Sequence, residues 1–100
     1  MMSQAEFASV ARSLMAECHR LGLRAPAFRS PCRVAGAHRS IRRTRTGQVV
    51  VHVSHIGRDV HSVTSDLIDG VIAANALTDA QTVETMRNAL WIAAGQAVCC

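Results

Sequence analysis

Ile41-Arg42-Arg43-Thr44-Arg45-Thr46-Gly47-Gln48-Val49-Val50-Val51-His52-Val53 is the stretch whose reading decides how this chain folds. Its β-branched residues on either side of a Thr-Gly turn predict two antiparallel strands, over residues 41–44 and 48–56. Gly47 supplies the positive φ that a bulge-type turn through Arg45 and Thr46 requires. Placing Thr44 opposite Gln48 sets Ile41 opposite Val51, on the side that also carries Val49 and Val53, so one face of the ribbon is apolar. The other face carries Arg42, Thr44, Val50, His52 and Ser54. Arg43 falls on the apolar side, close enough to the turn for its guanidinium to reach past the core edge. Gly57 and Arg58 form a second turn, after which residues 59–62 read as a short third strand.

Helices flank this ribbon. Ser3-Gln4-Ala5-Glu6 is a capping box, and Phe7, Val10, Ala11, Leu14, Cys18 and Leu21 recur at helical spacing until Gly22 supplies a left-handed stop. Val63, Leu67, Ile68, Val71, Ile72 and Asn75 predict a second helix, capped by Ser62 or Thr64, with Asp66 and Asp69 turned to solvent. Thr78-Asp79-Ala80-Gln81 is a second capping box. It opens a third helix with Val83, Met86, Leu90 and Ala94 in one stripe and Trp91 beside it. Between the first helix and the ribbon, residues 24–40 lose periodicity around Pro26, Pro31 and Gly36, and read as a long basic loop. A short extended piece is expected at Ala27, Phe28 and Arg29, with Phe28 pinning it to the core.

The expected architecture is therefore α+β: an N-terminal helix, the basic loop, a β-hairpin in a two- or three-stranded antiparallel sheet, and two C-terminal helices on one sheet face. A chain of 100 residues with 49% apolar content accommodates one such domain, spanning residues 1–100. Open sheet edges and the apolar end of the third helix, Trp91 included, lead us to expect a homodimer.

Charge is the main functional signal. No acid occurs in the 41 residues between Glu17 and Asp59, which hold nine of the eleven arginines. Residues 1–58 carry +8 (ten arginines against Glu6 and Glu17), and residues 59–100 carry −4 (Arg87 against five acids). The chain contains neither lysine nor tyrosine, as a GC-rich bacterial coding sequence would produce. That bias explains why each cation is arginine but not why the acids are absent from the middle. Guanidinium forks match phosphate oxygens two at a time, so Arg29, Arg33, Arg39, Arg42, Arg43 and Arg45 are the candidate nucleic-acid-binding residues. Duplex DNA is favoured over single strands, because Phe28 alone among aromatics lies in the basic region and stacking platforms are missing. The competing expectation is a protein-interaction or homodimerisation module whose arginines meet acidic protein surface, on a partner or within the chain.

Other chemistries are weakly supported. His52, His55 and His61 with Cys18 or Cys32 lack metal-ligand spacing, since residues 52 and 55 of a strand point to opposite faces. No glycine-rich phosphate loop and no nucleophile elbow is present, and Cys18 beside His19 on a helix diverges by about 100°. We expect no metal, no cofactor and no catalysis. The N-terminus lacks a signal-peptide pattern and no apolar run approaches ~20 residues, so the chain reads as cytoplasmic with no membrane partner and with its four cysteines reduced. A lipidated Cys99-Cys100 end is disfavoured by the lack of a preceding polybasic stretch.

Overall fold

The computed structural model describes every residue except Arg33, Ala35, Cys99 and Cys100, together with all side chains but those of Ala97 and Val98. The elements in chain order are α1 (Gln4–Leu21), β1 (Ala27–Arg29), β2 (Arg39–Arg43), β3 (Val49–Val53), α2 (Val60–Ala74) and α3 (Ala80–Val98). The class is α+β, as expected.

Local chemistry sets most of the boundaries. Both arms of the Ser3–Glu6 capping box form: the Glu6 amide donates to Ser3 Oγ at 3.1 Å and the Ser3 amide to Glu6 Oε1 at 2.9 Å. At the other end Gly22 takes φ +73°, while the Gly22 and Leu23 amides donate to the His19 and Cys18 carbonyls, a Schellman ending. Asp59 caps α2 by accepting from the Ser62 amide at 2.6 Å. The expected third strand over 59–62 is thus a helix start: an acceptor side chain in extended backbone, ahead of a helical apolar stripe, favours capping over pairing. Asp79, not Thr78, caps α3, accepting from both the amide and the hydroxyl of Thr82.

The sheet has the order β1-β3-β2. β2 and β3 pair antiparallel in the expected register, Ile41 opposite Val51, and the Thr44 amide donates to the Gln48 carbonyl at 2.8 Å. The third strand is the short extended piece Ala27–Arg29, which pairs in parallel with β3 and sets Phe28 beside Val51. The sheet is consequently mixed. Parallel pairing is possible because the chain between β1 and β3 includes the whole of β2 and its turn.

Val49, Val51 and Val53 face the helices and are buried with Phe28. α2 lies directly against this face through Val63, Leu67, Ile68 and Val71, while α3 packs on α1 and α2 with Leu90 and Ala94 inward. Among the described residues no helix covers the opposite face. On it lie Ala27 and Arg29 of β1, Val50 and His52 of β3, and Ser40 and Arg42 of β2. The β1–β2 connection crosses one end of that face: the Cys32 amide donates to Ser54 Oγ at 3.0 Å and Cys32 Sγ to Ser40 Oγ at 3.4 Å.

Candidate nucleic-acid interface

The candidate arginines separate into three groups. Arg42, Arg43 and Arg45 stand exposed around the β2–β3 turn, and among the described residues none of their guanidinium groups has a hydrogen-bond or ion-pair partner. Arg29 is exposed at the end of β1, its guanidinium donating to the Phe28 carbonyl at 3.1 Å. Arg39 is engaged: its guanidinium donates to Asp69 at 2.9 Å and lies 3.7 Å from Asp66. Arg33 lies outside the described residues.

Arg39 belongs to a network on the flank of α2. Asp66 also accepts from Arg58 at 2.7 Å, and Asp69 from Arg87 of α3. The Arg58 guanidinium additionally donates to the Ser54 carbonyl at 2.9 Å. Asp66 and Asp69, expected to face solvent, instead join α2 to β2, to α3 and to the turn after β3. Three residues apart on a helix, they share one face, and α2 turns that face toward the β2 edge.

A cation that the site reading omitted completes the exposed group. Because β1 runs parallel to β3, the residues before Ala27 lie beside those before Val50. Arg24 therefore shares a pocket of about 180 Å³ with Gly47 and Gln48 at the hairpin turn. Asn75 fixes the backbone there: the Arg24 amide donates to Asn75 Oδ1 at 2.7 Å, and Asn75 Nδ2 donates to the Arg24 carbonyl at 3.0 Å. Arg24 thus belongs with Arg42, Arg43 and Arg45. Its sequence signal was the 24–40 charge cluster, but its position depends on the parallel pairing of β1.

The acids do not reach this group. Glu6 closes the capping box, Glu17 pairs with Arg20, Asp59 and Asp79 cap helices, and Asp66 and Asp69 form the α2 network. Glu84, exposed on α3, is the remaining one. The backbone hydrogen bonds from Ser3, Ser62 and Thr82 hold Glu6, Asp59 and Asp79 below the usual carboxylate range, and the Arg20 hydrogen bond does the same for Glu17.

The histidines lie in separate settings. His55 is buried, lies tilted against the Phe7 ring with centroids 5.2 Å apart and shares a 2.6 Å hydrogen bond with Ser30 Oγ. His52 is half-buried on the helix-free face, with Nδ1 enclosed and without a hydrogen-bond partner among the described residues. His61 stacks on Trp91 at 4.8 Å, and the two line an apolar pocket of about 290 Å³ with Val60, Thr64, Ala94 and Gly95. Among the described residues no three His, Cys, Asp or Glu side chains converge on a metal-sized site. No helix among them is long and apolar enough to cross a membrane. Comparison with known proteins finds no match to a family model, a curated protein or a solved structure.

Proposed function

We propose that this chain is a small, non-catalytic accessory or regulatory protein that binds the phosphates of duplex DNA through Arg42, Arg43 and Arg45, flanked by Arg24 and Arg29. One observation carries the reading. Among the described residues, six of the seven Asp and Glu carboxylates are committed to caps or to Arg20, Arg39, Arg58 and Arg87, while the hairpin arginines have no carboxylate partner. Exposed guanidinium groups without internal counter-charges favour an external polyanion. Arg39 leaves the original set and Arg24 enters it. The same reading has the protein act in the cytoplasm as a homo-oligomer, in which paired hairpins would multiply the phosphate contacts.

The test is titration of the full chain with a duplex oligonucleotide at several salt concentrations. Three neutralised phosphates give a log–log slope of roughly −3, and an Arg42→Ala, Arg45→Ala variant should flatten it by about 2. No retention of duplex at low salt eliminates the proposal.

A further inference from the structure

Among the described residues nothing pairs with the outer edge of β2, and its pattern can be read residue by residue. The Ser54 amide donates to the His38 carbonyl at 3.0 Å and the Thr44 amide to the Gln48 carbonyl at 2.8 Å, in the same register that sets Ile41 opposite Val51. Hydrogen-bonded pairs in an antiparallel ladder recur every second residue. The backbone groups of residues 38, 40, 42 and 44 therefore point to β3, and those of Arg39, Ile41 and Arg43 point away from the sheet. Side chains opposite one another share a face, so Arg39, Ile41 and Arg43 also lie on the helix side with Val53, Val51 and Val49.

Ile41 shows what is missing. It faces the same side as the fully buried Val51, yet 42% of it is exposed, because among the described residues no strand or helix lies beyond β2 to cover it. Three outward-facing residues, two of them cationic with an apolar one between, are a template for one more strand.

A second copy fits this template poorly. Antiparallel pairing of two β2 strands about a two-fold axis at Ile41 would bring the isoleucines together, but it would set Arg39 of each chain opposite Arg43 of the other. Like charges directly opposite in a ladder are destabilising. Charge complementarity calls instead for a strand with acids flanking a β-branched residue.

We propose that the β2 edge binds an extended acidic segment of a partner protein, which adds as a fourth strand with an apolar side chain over Ile41 and a carboxylate on Arg43. Arg39 already holds Asp69, so the Arg43 end supplies most of the charge recognition. This surface lies apart from the helix-free face that carries Arg29 and Arg42 but shares Arg43 with the proposed DNA-binding group, and the proposal does not depend on DNA binding.

A short capped peptide with the alternation Glu-Thr-Val-Thr-Glu, titrated against the intact chain by fluorescence anisotropy, tests it. N-methylation of one alternate set of peptide amides should weaken binding at least about tenfold, while methylation of the other set leaves it within about twofold, as strand pairing dictates. A scrambled peptide of equal composition should bind at least about tenfold more weakly. Arg43→Glu should reduce affinity by a similar factor with the circular dichroism spectrum retained, whereas Arg42→Ala with Arg45→Ala should leave it within about twofold. Equal binding of both methylated forms or no binding at low salt overturns the proposal. Loss of duplex retention with peptide binding intact removes the DNA reading alone.

Discussion

Gly70 of α2 sits so close to Val51 of β3 that a Cβ at position 70 would lie 2.6 Å from Val51 Cγ1 and 2.9 Å from its Cγ2. Here α2 rests its backbone on the sheet, and Val51 is fully buried with the branched carbon locked in place. Replacing a helical glycine with alanine ordinarily gains about 1 kcal/mol. Forcing a methyl into a close-packed contact costs about 1–3 kcal/mol. We predict that Gly70→Ala is a net loss, with Tm falling by several degrees, and that Val51→Ala reverses the sign by removing both contacting methyls. A thermal double-mutant cycle reads the coupling directly.

Asp69 joins three elements by accepting from Arg39 of β2 and from Arg87 of α3. These groups are roughly one-third exposed, so solvent screens the pairs, and Asp69→Asn should lower stability by less than about 1 kcal/mol. The effect on binding runs the other way. Loss of one carboxylate loosens Arg39, which keeps Asp66 at 3.7 Å, so duplex affinity should rise modestly and the salt slope steepen by less than about 0.9. Chemical denaturation and salt titration of the same variant check the two halves.

The hairpin was legible because period-two alternation on either side of Gly47 admits one register that gathers Ile41, Val49, Val51 and Val53 on one face. The start of α1 was legible from its Ser3–Glu6 box, whereas the caps of α2 and α3 fall on Asp59 and Asp79 and not on the expected Ser62 or Thr64 and Thr78, because several acceptor side chains crowd each start and residues 59–62 carry no decisive period. Two things lay beyond the sequence. Three residues, Ala27–Arg29, cannot announce a parallel partner, so the mixed sheet and the position of Arg24 beside Gln48 were hidden together. The pairing of Arg39 with Asp69 spans 30 residues and arises from the packing of α2 on the sheet, which no local pattern encodes.

Acid sensitivity follows from the caps. Asp59 and Asp79 are held below their ordinary range chiefly by the Ser62 and Thr82 amides, so near pH 4 the folded chain binds fewer protons than the unfolded one. Stability from these groups is complete above the unfolded value and is lost as pH falls through the folded one. Asn at either position keeps a cap acceptor without the titration. Thermal melts between about pH 2 and 7 should therefore show the gap between the native chain and an Asp59→Asn, Asp79→Asn variant narrowing as pH drops.

Cys18 and Cys32 should differ sharply toward a thiol reagent. Cys18 lies at 0% exposure in the α1 stripe, and burial, with the nearby Glu17 charge adding, pushes its thiol up to about 11. Reaction requires the thiolate and access to it, and Cys18 lacks both at neutral pH. Cys32 is half-buried over the helix-free sheet face, with its sulfur at Ser40 and its amide at Ser54. In a chain carrying Cys99→Ser and Cys100→Ser, mass spectrometry after alkylation at pH 8 should find Cys32 modified first. Cys18 should be modified only at the rate of opening of α1, which denaturant accelerates. Modification of Cys18 at the Cys32 rate in native buffer would show that α1 leaves the core far more often than its packing allows.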